Sequence, residues 1–437
     1  MYSRRKFLSS FSGASAGILF VGCGVVESAL AAAQSGVRGK RRPVTIGGQR
    51  VLTVDVHTHV LVPEALDLVK AYKETESIRN QFASARGPGY DVHIVDARLE
   101  RMDREGIDVQ VVGINPFWYW AERDLASQIV QIQNEAIAKL CASHPDRFVG
   151  LASVALQFPE LAADQLEQGM KKQDMRGCLI GGSVNGEELS APKFYPFWER
   201  AEQLQAFVFI HPQRFPEAES RLQGNGFLSN VIGQPLETTV ALSHLIFEGT
   251  LDRFPNLKIC AAHGGGFLPS YSGRMDACLI AFPATCKPVK KEPSEYLKQL
   301  YFDSIVVTGE GLRHLVATAG VSQVLLGTDF PTDWNSKGVD HVLGTSSLSD
   351  ADKKAILGGN AAKLLRINPQ PAGQSIHGAK DQPRQESNVS NALRDPAHGP
   401  SANGGKVRGA NNSNKIGGQA CKPDSVRRAG VDACVPQ

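Results

Sequence analysis

Eight short apolar runs, separated by stretches of helical periodicity, recur between Val51 and Arg366. They are VLTVDVHTHV from Val51, VQVVGIN from Val109, FVGLASVAL from Phe148, GCLIGGSV from Gly177, AFVFIHP from Ala206, LKICAAHGGG from Leu257, LYFDSIV from Leu300 and VLLGTDFP from Val324. Helical patterns fill the intervals, for example PELAADQLEQGMKK from Pro159 and PLETTVALSHLIFEGTLDRF from Pro235. Strand-length runs alternating with amphipathic helices are the sign of parallel βα units. An open doubly wound sheet shows the same alternation with fewer strands, so the count of eight predicts an α/β chain folded as a (β/α)8 TIM barrel.

A barrel over residues 51–366 uses most of the 437 residues but not all of them, and a chain that is 42% hydrophobic can bury the core it needs. Beyond it, residues 367–437 turn to Gly, Asn, Ser, Gln and Pro with little apolar periodicity, so this tail is expected to be disordered. The start, MYSRRKFLSSFSGASAGILFVGCG, joins Arg4 and Arg5 to Phe7, Leu8 and a weakly apolar stretch, and it resembles a twin-arginine signal. Residues 1–33 are thus expected to be a signal peptide read by the Tat export machinery, with Ala29, Ala31 and Ala33 offering a cleavage site. Residues 34–50 then form a linker, and the product is periplasmic; Gly22-Cys23 is a poor lipoprotein site, which disfavours a lipid anchor. No later apolar run is long enough to span a bilayer. The net charge of +3 comes without a long basic run, which argues against nucleic acid as a partner. The eight cysteines are scattered without a CxxC pair, and the internal ones read as buried thiols.

The residues able to hold a metal fall at the carboxyl ends of predicted strands, the face that carries barrel active sites. His57 and His59 stand two apart on one extended run, so their side chains point to the same side. An HxH pair alone is weak, since two hydrogen-bonded polar residues look the same. His211 closes the fifth run, His263 the sixth and Asp329 the eighth, which gathers four imidazoles and a carboxylate at one mouth. His57, His59, His211 and Asp329 make a nitrogen-rich set that suits one divalent ion, with zinc expected, and His263 is left to act as the base on a metal-bound water. Asp55 and Asp303 either orient these histidines or make plain structural hydrogen bonds. PFWYW, from Pro116, either covers a flat substrate through Trp118 or packs beneath its own loop.

DVHTH, RLERMDREGIDVQVV from Arg98, RFVGLASVALQFPELA from Arg147, PLETTVAL, FEGTLDRFPNLKICAAHGGG and VLLGTDFP together resemble the amidohydrolase superfamily, in its aminocarboxymuconate-semialdehyde decarboxylase branch, over about Val54 to Leu365. The resemblance implies a barrel of the metal-dependent hydrolase type, a zinc ion on the four ligands and His263 as base. No lysine ends the fourth strand, so one metal is expected rather than two. The implied activity is non-oxidative decarboxylation of a small unsaturated or aromatic carboxylic acid. The alternative on the same scaffold is a metal-dependent hydrolase or hydratase opening a lactone, amide or double bond. Arg274, eleven residues after His263, matches an arginine the family lends across a dimer interface, which implies a homodimer. Arg86 is the corresponding candidate in the first half, as a carboxylate contact within one chain.

Overall fold

The computed structural model describes residues 41–84, 87–287 and 289–368. The signal peptide, the first part of the linker, Arg86 and the tail with Cys421 and Cys434 lie outside the described residues. The chain divides into two units, Met1–Ala372 and Gly373–Gln437, the second wholly outside them. Within the stretch read as linker, Thr45–Ile46 and Gln49–Arg50 form a two-stranded hairpin. Gly47 and Gly48 both take positive φ at its turn, the conformation such a tight hairpin requires.

Eight parallel strands form where the apolar runs were read. They are β1 (Val54–His59), β2 (Val109–Gly113), β3 (Phe148–Gly150), β4 (Gly177–Ile180), β5 (Phe207–Ile210), β6 (Lys258–Ala261), β7 (Tyr301–Asp303) and β8 (Val324–Leu325). Ladders join β1 to β2 to β3, and β4 through β8 in order. At the β3/β4 seam the amide of Ala152 donates to Gly177 O at 2.8 Å; at the β8/β1 seam Val56 donates to Leu326 O at 2.9 Å and His59 to Phe330 O at 2.7 Å. Strand order therefore follows chain order around all eight.

Side chains alternate between two apolar clusters along these strands, as the period of two requires. Leu179, Phe207, Phe209 and Cys260 belong to the smaller cluster, whereas Cys178, Ile180, Val208, Ile210, Ile259 and Ala261 join the larger one with the helices. The helices that follow are α1 (Val95–Glu105), α2 (Arg123–Ser143), α3 (Pro159–Lys172), α4 (Tyr195–Gln203), α5 (Gln234–Phe247), α6 (Leu268–Ala281) and α7 (Gly309–Ala319). The Glu122 carboxylate caps α2 by accepting from the amides of Asp124 and Leu125, and the Thr308 hydroxyl caps α7. The long helical reading from Pro235 breaks in two, because Gly249 takes φ 75° and Thr250–Arg253 starts a separate turn.

Two sequence expectations change here. Cys178 and Cys260 are buried thiols, but Cys278 and Cys286 are half-buried and form a disulfide across a Cα separation of 5.8 Å. The eighth strand is two residues long rather than the whole of VLLGTDFP, since beyond Leu325 the amides leave the β7 ladder, Leu326 donating to Ile356 O and Gly327 to the Ser304 hydroxyl, and Asp329 then takes φ 63°. Among the described residues no helix is long and apolar enough to cross a membrane.

Candidate metal centre

His57 and His59 lie on β1, His211 directly follows β5, and Asp329 stands four residues beyond β8. All four are buried, and one ligand atom from each lies within 4.8 Å of the others. His57 Nε2 and His59 Nε2 are 3.1 Å apart, and Asp329 Oδ1 is 2.9 Å from His59 Nε2 and 3.3 Å from His57 Nε2. The His211 ring stands 4.7 Å from that of His59 and 5.0 Å from that of His57, centroid to centroid.

A bulge in β1 makes this convergence possible. Pairing with β2 advances from Asp55 to Thr58 while its partner advances only from Gln110 to Val112, so β1 carries one extra residue. Val54 and Val56 belong to the smaller apolar cluster, and strict alternation would send His57 to the opposite face. The extra residue restores it: His57 packs at 5.0 Å on Phe209, a member of that same cluster. Thr58, pointing the other way, donates to Val111 O.

The ring nitrogens show what is needed at the centre. Both nitrogens of His211 and Nδ1 of His59 are buried without a hydrogen-bond partner among the described residues. Orphaned buried polar atoms are costly and rare in folded proteins. Three imidazoles and a carboxylate converging with unshared lone pairs fit a divalent cation. The field agrees: burial lowers the His57 pKa, yet the Asp303 and Asp329 carboxylates outweigh it and hold it up to about 10, so the centre favours positive charge. Burial, together with the neighbouring imidazoles, pushes His211 well below its ordinary value, leaving it neutral and able to donate a lone pair. Asp329 is held well below the usual carboxylate range: its bonds to His57 and His59 overcome the opposing effect of burial.

Asp303 and Asp55 divide the two roles left open for them. Asp303 Oδ2 lies 2.6 Å from His57 Nδ1 and sets that ring's orientation. The same oxygen accepts from the amide of His263 (2.9 Å), and Asp303 Oδ1 accepts from the amides of Gly264 (2.8 Å) and Ile305 (3.0 Å). Asp55 touches no imidazole and instead accepts from the Thr328 amide and hydroxyl and the His57 amide. Burial, opposed by those bonds, pushes its carboxyl up to about 7.

His263 follows β6 at φ 55°, its ring 5.2 Å from His57 and 5.3 Å from His211 and its Nδ1 buried without a hydrogen-bond partner among the described residues. Burial and the charge on His57 lower its pKa to about 4. The glycines behind it allow the close approach: a Cβ on Gly266 would stand 2.1 Å from Pro235 O, and one on Gly265 2.6 Å from the Phe302 ring. Two further contacts were not read from the sequence. Thr332 donates to Asp329 Oδ2 at 2.9 Å, and buried Arg98 donates to His59 O at 2.6 Å while its guanidinium stands 4.2 Å from the Phe330 ring centre. A polar residue three beyond Asp329 and an arginine inside an amphipathic helix carry no sequence signal that sets them apart.

A cavity of about 860 Å³ opens at the same end, lined by Asn115 and Phe117 after β2, Pro212 to Arg214 after His211, and Thr332 to Trp334 after Asp329. Trp118, read as a substrate contact, is instead fully buried, with its indole N–H donating to Val154 O at 3.0 Å. Its neighbour Phe117 lines the cavity, because the chain beyond β2 packs one aromatic inward and leaves the next facing the opening. Arg274 lies on α6 beside a separate depression of about 420 Å³ with Tyr271, Met275 and Phe282, and does not join the cluster within its own chain.

Residues 54–367 match the amidohydrolase family. The chain is 32% identical over 338 residues to 2-amino-3-carboxymuconate-6-semialdehyde decarboxylase of Dictyostelium discoideum, covering 73% of this chain and 93% of that protein. It is 30% identical to gamma-resorcylate decarboxylase of Polaromonas sp. (strain JS666), covering 63% and 88%. A solved dihydroxybenzoic acid decarboxylase from Polaromonas sp. JS666, with bound manganese and the inhibitor 2-nitroresorcinol, superposes with a TM-score of 0.64 at 25% identity over 73% of this chain and 98% of that one. The 5-carboxyvanillate decarboxylase of Sphingomonas paucimobilis shares the fold, at a TM-score of 0.67 and 24% identity over 73% of this chain and all of that one.

Proposed function

The chain belongs to the amidohydrolase family, and we propose that it is a metal-dependent, non-oxidative decarboxylase of an aromatic or unsaturated carboxylic acid. The observation that carries this reading is the set of converging donors on His57, His59, His211 and Asp329, with His263 against them and the cavity at the same end. It is supported by relatives that are decarboxylases over nearly their whole length. The eight strands are read as one closed barrel, supported by the hydrogen bonds at both seams.

Zinc is the ion proposed, since three imidazole nitrogens and one carboxylate suit it; manganese in the dihydroxybenzoic acid decarboxylase makes that ion the competitor. When bound, the ion supplies Lewis-acid stabilisation of negative charge on substrate oxygens. Asp303 keeps His57 turned toward the centre, and Thr332 holds the second oxygen of Asp329. His263 is neutral at pH 7 and can take a proton on a ring nitrogen and return it to the carbon that bears the carboxylate. That protonation lets the carbon–carbon bond break, its electron pair returning to the unsaturated system as carbon dioxide leaves. Arg86 is assigned to the substrate carboxylate from within the chain, and Arg274 from a second copy. The homodimer this needs is supported by the exposed apolar side chains that line the same depression as Arg274: Tyr271 and Phe282 are 60% and 65% exposed.

Export by the twin-arginine route to the periplasm is proposed from the leader, and the Cys278–Cys286 pair supports it because disulfides persist in oxidising compartments. The test of the activity is carbon dioxide release by metal-loaded protein from a panel of hydroxylated aromatic and unsaturated acids, with H263A as the blank. Release above the blank is expected. Turnover without carbon dioxide would replace this reading with hydrolysis or hydration.

A further inference from the structure

We propose that Arg214 binds a second acidic group of the substrate, so that the cavity selects acids with two anionic groups over acids with one; this rests on the decarboxylase reading. Among the described residues that line the cavity, Arg214 is the one cation. It stands three residues beyond His211, and the turn between them is pinned to helix α5. The amides of Gln213 and Arg214 both donate to Glu237 Oε2, at 3.3 and 2.9 Å, and the other oxygen of that carboxylate accepts from the Ser183 hydroxyl at 3.1 Å. The backbone of Arg214 is therefore held in register with the donor cluster.

The donor cluster and Arg214 lie at different depths. His211 is 3% exposed, whereas the Arg214 side chain lines the cavity and is 67% exposed. A carboxylate placed at the buried donors leaves the guanidinium free for another group on the same flat molecule. Glu74 lines another part of the wall and repels an anion there, and the Asp333 carboxylate is already paired with Arg101, which leaves Arg214 as the cation among the described lining residues. Phe117, Phe227 and Trp334 supply aromatic side chains to the lining. Arg214 pairs with Glu219, whose side chain is 42% exposed, and an ion pair between groups so open to water contributes little. A carboxylate or phenolate that meets the planar fork with two hydrogen bonds replaces it readily.

The test is titration calorimetry of the full chain loaded with manganese, using isophthalate, which carries two carboxylates, and benzoate, which carries one. Wild type is expected to prefer isophthalate, and R214Q to reduce that preference by about tenfold, the effect of losing one charge-assisted contact at a partly solvated site. Benzoate affinity and metal content should not change. E219Q, which removes the competing carboxylate, should strengthen isophthalate binding about twofold to threefold and leave benzoate alone. An unchanged preference in R214Q overturns the role of Arg214, and does so even if carbon dioxide release has confirmed decarboxylation. A wild type that binds the two acids equally, or neither, overturns it as well, while the parent reading is judged separately by carbon dioxide release.

Discussion

Removing the His263 ring leaves all four metal donors in place, so H263A is expected to keep its metal and lose turnover by about 10²- to 10⁴-fold, the usual range for a proton-transferring group. H57A removes a donor and also takes from Asp303 its buried imidazole partner. It should lose both metal and activity, with a stability loss of about 1–3 kcal/mol from the lost charge-assisted hydrogen bond, since Asp303 keeps only its backbone amide donors. Metal content by mass spectrometry beside single-turnover assays separates the two, and equal metal loss in both variants would remove His263 from its proposed role. Gly327 makes a sharper test of packing. A Cβ there would stand 2.9 Å from Asp303 Cβ and 3.1 Å from His57 Cβ, both on strands with little room to yield. G327A is expected to cost about 1–3 kcal/mol by overpacking and to weaken metal binding at the same time, read by thermal unfolding and metal titration.

At the level of single elements, strand β1 and helix α5 do the most to shape the site. The extra residue in β1 places His57 and His59 on the face that alternation from Val54 and Val56 would have denied them. Helix α5 contributes Glu237, a 5% exposed carboxylate that burial pushes up to about 7 against the hydrogen bonds of Ser183, Arg214 and Gln213. Its folded-state pKa is raised, so the folded form is favoured when the carboxyl is protonated. The contribution is largest below its ordinary value of 4.5 and is lost as pH rises from there through about 7, amounting to at most roughly 3 kcal/mol. E237Q does not titrate, so its melting temperature relative to wild type should rise between pH 5 and pH 8; a constant difference across that range would show that Glu237 does not titrate in it.

For the molecule as a whole, the homodimer proposed from the exposed apolar side chains on and just after α6 is one that added charge should break. Y271E together with F282E is expected to shift sedimentation to the monomer and, on the proposal that Arg274 acts from a second copy, to reduce activity without releasing metal. Unaltered sedimentation in the double variant would place any dimer interface elsewhere. The parts of this architecture legible in the chain were those written in local periodicity. Strands β1 to β7 and helix α3 come from apolar runs and helical spacing, and the metal donors could be read because each falls near or just beyond the carboxyl end of an apolar run, so their positions along the chain imply their position at one mouth. Trp118 and Phe117 are adjacent aromatics with the same propensity, and only the packed chain beyond β2 sends one into the core and the other to the cavity. Asp55 and Asp303 are likewise two aspartates on strands, β1 and β7, separated in role by which of them meets an imidazole across 246 residues of chain. Periodicity is a property of neighbours in sequence and survives in the sequence alone. Bulge register, side-chain depth and carboxylate pairing depend on contacts between distant segments, and those exist only once the strands have packed together.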